Sequence, residues 1–184
     1  MLEELAQREL VDIYYGDEAS ICTSGSVCSG WQWTDEEVFL PAHKGARLSC
    51  FALLSRANTC RFATTTGTVD AAFVAQELEK LSLDIGKPTV VVLDNARLHK
   101  GTLIQEFVPA WEGRGLFLFY LPVYSPHLNI VEILWKHLKY FWLRAQDYFD
   151  TQNLFYQVHQ ALAAVGSLLH IQFKPFNHHQ LIPV

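Results

Sequence analysis

Residues 89–99 read TVVVLDNARLH, and this stretch decides the fold. Its first half, which ends at Leu93, is a short apolar run of the kind found in buried central strands. Asp94 follows directly, at the carboxyl end of that strand, where α/β sheets place their functional sites. The stretch therefore predicts a buried strand that leads into a polar site.

Strand and helix patterns alternate on both sides of this stretch. Residues 24–30 are expected to form a loop. The other expected strands are Val11–Tyr15, which ends at Gly16 and Asp17, then Arg47–Ser55, Thr59–Thr65 and Leu116–Tyr120. The expected helices are about Val69–Ser82 with Thr68 as N-cap, about Lys100–Ala110, about Asn129–Gln146, and Gln152–Val165. Antiparallel strands followed by βαβ crossovers predict an α/β fold, with a mixed five-stranded sheet and helices on both of its faces.

The composition is that of one globular domain over residues 1–184. Half of the residues are hydrophobic, which excludes a disordered chain. No stretch approaches the roughly 20 apolar residues that cross a bilayer, and the acidic start lacks the basic and apolar parts of a signal peptide. We therefore expect a cytoplasmic protein.

The net charge of −5 argues at first against a nucleic-acid enzyme, because phosphate binding depends on Lys and Arg. The charges are unevenly distributed, however. Residues 1–40 carry nine acidic side chains and one basic side chain, whereas residues 97–146 carry six basic and three acidic ones. Contacts to phosphates are therefore expected in the later part of the chain.

Three carboxylates fall where the predicted sheet would gather them. Asp17 ends the first strand, Asp94 follows the buried strand, and Glu132 lies in the first turn of a later helix. Hard oxygen ligands of this kind can hold two Mg²⁺ ions for phosphoryl transfer. Each also has a plain structural interpretation: a solvated strand end, an Asx turn, and a capping box formed by Asn129 and Glu132.

The sequence around these acids resembles the transposases of the insertion-sequence branch of the mariner superfamily. VVLDNARLHK at residues 91–100 resembles their second-aspartate motif, an apolar strand followed by D-N-x-x-x-H. LPVYSPHLNIVEILWKHLK at residues 121–139 resembles their L-P-x-Y-S-P-x-L-N-P-I-E-x-x-W-x-x-L-K motif. YGDEA at residues 15–19 resembles the first motif, a strand that ends in D-E.

The resemblance implies an RNase H-like fold and a catalytic DDE triad that binds two Mg²⁺ ions, or Mn²⁺ in their place. It further implies double-stranded DNA as substrate (transposon ends and target), a homo-oligomer assembled on that DNA, and a bacterial protein at the nucleoid. The implied triad is Asp17, Asp94 and Glu132. Asn95, His99 and Asn129 are expected to support this site, and Lys100, Lys136 and Lys139 are expected to bind DNA. Lys136 and Lys139 follow Glu132 at i+4 and i+7, which puts all three on one helical face, where the lysines either contact phosphates or form a solvated basic surface. The implied reaction is hydrolysis of phosphodiesters at transposon ends, followed by strand transfer of the freed 3′-OH into target DNA.

The chain departs from the family pattern in a few places. Ile130 replaces the usual proline and Val131 the usual isoleucine before Glu132. Asp94 and Glu132 are separated by 37 residues, a little more than expected for many bacterial members of the family. The extra length is expected in a loop around residues 109–115. We expect the helix-turn-helix DNA-binding region that usually precedes such a domain to be absent from this chain. Two other functions stay open: an RNase H-like nuclease without strand transfer, and an inactive or repurposed interaction module.

Overall fold

A five-stranded mixed sheet forms the centre of the protein. The computed structural model describes residues 2–23, 34, 45–123 and 125–174. The strands are β1 Asp12–Cys22, β2 Arg47–Leu54, β3 Cys60–Thr65, β4 Thr89–Leu93 and β5 Leu116–Tyr120. Their order across the sheet is β3-β2-β1-β4-β5. The hairpin strands β1, β2 and β3 pair antiparallel, while β1, β4 and β5 pair in parallel. The predicted mixed five-stranded sheet is confirmed.

Helices cover both faces of this sheet. They are α1 Leu2–Gln7, α2 Ala71–Asp84, α3 Arg97–Lys100, α4 Thr102–Arg114, α5 Val131–His137 and α6 Thr151–Ala164. One apolar core lies between the sheet and α2 and α4, and the other lies between the sheet and α5 and α6. Among the described residues, no helix has both the length and the apolar character needed to cross a membrane.

Alternating side chains of β1 enter the two cores. Ile13, Tyr15, Ala19 and Ile21 belong to the core beneath α5 and α6, whereas Tyr14 belongs to the core beneath α2 and α4. This alternation is the ordinary period of a β-strand. It places Asp17 on the α5 face and its neighbour Glu18 on the opposite face.

The first strand is longer than the sequence predicts. Gly16 and Asp17 were expected to end it, but β1 continues to Cys22 and pairs with β2 along its second half. The expectation was wrong because Gly and Asp usually mark turns, whereas here the backbone bonds to β2 carry the strand through them. Asp17 therefore lies in the middle of a long strand.

Two helix boundaries also differ from the prediction. Asp70, and not Thr68, caps α2, because its carboxylate accepts a hydrogen bond from the backbone N–H of Phe73 at 2.9 Å. The expected loop around residues 109–115 is the end of α4, which contains Pro109 and stops at Gly115 with a left-handed φ of 96°.

The long helix expected over residues 129–146 is broken into pieces. Only Val131–His137 is α-helical, Leu138–Trp142 forms a π-helical turn, and Ala145–Phe149 is a 3₁₀ turn. Extended backbone at Leu143 separates the π-helical turn from the 3₁₀ turn. Leu143 and Tyr148 are both buried in the core beneath α5 and α6. The loop expected at residues 24–30 and Tyr124 of the third motif lie outside the described residues.

Candidate active site

The strand register brings Asp17 next to Asp94. β1 pairs with β4 up to Tyr15 opposite Val92. Two residues farther along each strand are Asp17 and Asp94, so both stand at the carboxyl end of the parallel part of the sheet. Both also follow the alternation that faces α5, since Tyr15 and Val92 belong to the core on that side.

Glu132 lies in the first turn of α5, and two contacts hold that helix against β1. Asn129 is 3% exposed, and its side-chain amide donates to the carbonyl of Gly16 at 3.0 Å. The indole N–H of the buried Trp135 donates to Oδ2 of Asp17 at 3.1 Å. The backbone of Glu132 is therefore held next to Gly16 and Asp17, while its side chain is exposed.

A capping box between Asn129 and Glu132 is not what the structure shows. Oδ1 of Asn129 accepts from the backbone N–H of Val131 at 3.2 Å, and the N-cap residue Ile130 makes no side-chain capping bond. With Ile130 in place of the usual proline, the backbone φ angle at the start of α5 is not fixed by a proline ring. The side chain of Asn129 holds the start of the helix instead, through its hydrogen bonds to the backbone groups of Gly16 and Val131. Glu132 is left with its carboxylate directed to solvent.

Asp94 is held by two donors from the turn and short helix that follow β4. Its Oδ1 accepts from the backbone N–H of Ala96 at 3.0 Å and lies 2.6 Å from Nδ1 of His99. The ring of His99 is fully buried, while the side chain of Asp94 is 45% exposed. The Tyr120 hydroxyl donates to the His99 carbonyl at 2.8 Å, which ties α3 to the end of β5.

Sequence patterns alone did not single out Glu18 as part of this arrangement. Its Oε2 lies 3.3 Å from Nε2 of His99, although the pair lacks hydrogen-bond geometry. His99 thus stands between two carboxylates, one at each ring nitrogen. The signals in the sequence were the D-E pair of the first motif, which includes Glu18, and the strand period, which puts Glu18 on the face opposite Asp17.

The carboxylates perturb one another. Burial and the negative charges of Glu18, Glu132 and Asp94 together raise the pKa of Asp17 to about 7, against a hydrogen bond from the backbone that lowers it. For His99, burial lowers the pKa, but the contacts with Glu18 and Asp94 outweigh burial and raise it. In the described part of the chain, no group of three or more His, Cys, Asp or Glu side chains stands close enough to hold a metal ion without adjustment.

The other expected site residues occupy different surroundings. Asn95 is half-buried in the turn after β4. Lys100 is exposed and its ammonium lies 4.6 Å from the ring centroid of Tyr120. Lys136 is also exposed, but Lys139 is half-buried in the π-helical turn.

The charge of Lys139 acts on a buried residue of β2. Burial raises the pKa of the Cys50 thiol on β2 to about 12, and the charge of Lys139 partly offsets this rise. Lys136 and Lys139 were expected on one helical face with Glu132. The π-helical turn changes the angle between successive residues and gives the two lysines different environments.

The sheet order and the helices on both faces define an RNase H-like fold, which transposase and integrase catalytic cores share. A chain of the simian T-cell lymphotropic virus intasome in complex with a PP2A regulatory subunit is similar with a TM-score of 0.58 at 13% identity, covering 88% of this chain and 50% of that one. The Mos1 transposase paired-end complex with left transposon end has a TM-score of 0.52 at 15% identity, covering 89% and 56%. The catalytic core domain of BIV integrase has a TM-score of 0.54 at 12% identity, covering 88% and 87%. The chain thus spans about half the length of the first two.

The family model for DDE superfamily endonucleases matches residues 12–155, from the start of β1 into α6. The chain therefore belongs to the DDE superfamily endonuclease family. Among curated proteins, none matches it.

Proposed function

We propose that this chain is the catalytic domain of a DNA transposase that depends on divalent metal ions. Asp17, Asp94 and Glu132 are its metal-binding triad, and the ions are two Mg²⁺, which Mn²⁺ can replace. Its reaction is hydrolysis of phosphodiesters at transposon ends and transfer of the 3′-OH end into target DNA. It acts as a homo-oligomer on double-stranded DNA at the bacterial nucleoid.

The observation that carries this proposal is the state of Asp17. Its carboxyl group is largely buried in the middle of the sheet, and the side chains whose charges raise its pKa are all carboxylates. Like charges that act on a partly buried carboxylate in this way are unfavourable unless a proton or a cation offsets them. A divalent cation fits this donor set, because Mg²⁺ and Mn²⁺ prefer hard oxygen ligands.

The ions, when bound, would supply the charge that activates the attacking oxygen and stabilises the leaving one. The protein provides the positions. Asp17 is fixed by the pairing of β1 with β2, and Asp94 by its bonds to Ala96 and His99. Glu132 is exposed at the start of α5, so a rotation of its side chain can complete the set.

Two exposed lysines near the carboxylates can bind the DNA backbone. Lys136 follows Glu132 by one turn of α5, and Lys100 follows Asp94 by six residues. Both can meet phosphates beside the carboxylates, where basic side chains position the backbone without reading its sequence. Because the overall charge of the chain is negative, we expect this contact to be weak and to depend strongly on salt.

The experiment is a titration with Mn²⁺, followed by electron paramagnetic resonance, on the wild type and the Asp94→Asn variant. Asp12→Asn is the matched control, since Asp12 lies on β1 but pairs with Lys87 at 3.0 Å on the surface. We expect binding by the wild type and the control, and loss of binding in Asp94→Asn.

Nicked duplex DNA and a labelled 3′-OH oligonucleotide then separate the possible activities. Joined products would support a transposase, and cleavage without joining would show a nuclease instead. A folded wild type that binds no Mn²⁺, even with DNA present, would refute the proposal and leave an interaction module.

A further inference from the structure

Glu18 lies on the face of the sheet away from Asp17, yet it reaches the same site. Its backbone is fixed in register opposite Phe51 of β2. From there its side chain reaches His99, with Oε2 at 3.3 Å from Nε2. Both atoms are buried and, within the described part of the chain, neither has a hydrogen-bond partner that could replace the other.

The His99 ring transmits this contact to Asp94. Nδ1 on the other side of the ring is 2.6 Å from Oδ1 of Asp94, and the ring is fully buried. An imidazole that faces a carboxylate at each nitrogen has one favoured orientation, since rotation would break both contacts where water cannot restore them. The Tyr120 hydroxyl holds the backbone of the same residue.

Asp94 needs such support because it stands beyond its strand. The pairing of β4 with β5 ends at Leu93, and the side chain of Asp94 is 45% exposed. Its position therefore depends on the bonds it accepts from Ala96 and His99. Of these two, only the second comes from a side chain, and that side chain is oriented from β1.

We propose that Glu18 is a positioning residue, which fixes the Asp94 carboxylate through the buried His99 ring. Adjacent residues of β1 then set two of the three triad carboxylates, Asp17 directly and Asp94 through His99. This inference rests on the proposed function, because it assigns Glu18 a role in preparing the metal site. Residues that orient metal ligands in this way commonly change metal affinity by about 10–100-fold when they are removed.

The test compares Glu18→Met, which fills the same space without an acceptor, with Glu18→Gln, which keeps an acceptor oxygen. The control is Glu79→Met. Glu79 accepts from the indole of Trp111 at 2.7 Å and pairs with Arg114 at 2.8 Å, and both partners lie on α4. The readouts are the Mn²⁺ dissociation constant, the melting temperature, and the side-chain ¹H–¹⁵N NMR signals of His99 in the metal-free protein.

We expect Glu18→Met to weaken Mn²⁺ binding by about 10–100-fold and to shift or broaden the His99 signals. Glu18→Gln should keep most of the affinity. Glu79→Met should lower the melting temperature without changing either the affinity or the His99 signals. Glu18→Met with a lower melting temperature and unchanged affinity would overturn the inference, because Glu18 would then be only structural.

The NMR readout keeps the inference separate from the proposed function. If the wild type binds no Mn²⁺, the proposed function fails, but unchanged His99 signals in Glu18→Met would still overturn the positioning role, and altered signals would support it. If Glu18→Met does not fold, the wild-type spectrum decides. One fixed ring state with slowly exchanging N–H protons supports the role, and an averaged, rotating ring refutes it.

Discussion

Replacing Asp17 with Asn should make the protein more stable while it abolishes metal binding. In the folded protein the pKa of Asp17 is about 7, against an ordinary value of 3.8. At about 1.4 kcal/mol per pKa unit, this difference lowers the free energy of unfolding of the wild type by about 4 kcal/mol above pH 7. Partial solvent access screens some of this free energy, so we expect Asp17→Asn to gain about 2 kcal/mol.

The sign follows from the protons bound in each state. Between about pH 4 and 7 the folded protein keeps the Asp17 proton and the unfolded chain loses it, so the stability of the wild type falls as pH rises. Above pH 7 both states have lost the proton, and the stability of the wild type falls no further with pH. The advantage of Asp17→Asn should therefore grow from pH 4 to 7 and stay constant above that.

Urea unfolding at pH 5, 6, 7 and 8 measures this advantage, with Asp12→Asn as control. The control should show no advantage that grows with pH, since Asp12 lies at the surface beside Lys87. Adding Mn²⁺ at pH 8 should stabilise the wild type and leave Asp17→Asn unchanged. An Asp17→Asn variant that is less stable than the wild type at pH 8, or whose advantage is the same at every pH, would contradict this prediction.

Three further variants test the parts around the site. Asn129→Ala leaves two buried backbone groups unpaired and should lower the free energy of unfolding by about 1–3 kcal/mol, measured by urea unfolding; a loss near zero would show that α5 is held otherwise. Gly16→Ala would place a Cβ 2.7 Å from Leu93 and should cost about 1–3 kcal/mol in the same assay. Gly86→Ala, which meets nothing within 4 Å, is its control and should cost far less. Trp135→Phe removes the donor to Asp17, so its Mn²⁺ binding should need a higher pH than in the wild type; an identical pH profile would contradict that role.

The sheet could be predicted from the sequence because its central strands are nearly pure apolar runs. Val90–Leu93 and Leu116–Tyr120 have no competing interpretation once helices are expected on both sides. The bounds of β1 could not be predicted in the same way. Gly16 and Asp17 favour a turn locally, and only the bonds to a strand more than 25 residues later keep them extended.

The sequence predicts the members of the candidate site, and it does not predict their connections. Asp94 and Glu132 were predicted from the resemblance of the motifs around them to those of the mariner-superfamily transposases. The contact between Glu18 and His99 depends on the face that each element presents, and the contact from Trp135 to Asp17 depends on how α5 lies across β1. Such tertiary contacts leave no local pattern in the chain.

The two contacts from α5 to β1 bear on how much the chain length between the second and third acids can vary. Asn129 and Trp135 stand three residues before and three residues after Glu132, and they contact Gly16 and Asp17. The position of Glu132 is therefore set by these contacts with β1, and not by the length of the chain between Asp94 and Asn129. Insertions or deletions in the loop between β5 and Asn129 should leave the separation of Asp17 and Glu132 unchanged, so the number of intervening residues is a poor guide to whether such a site is intact.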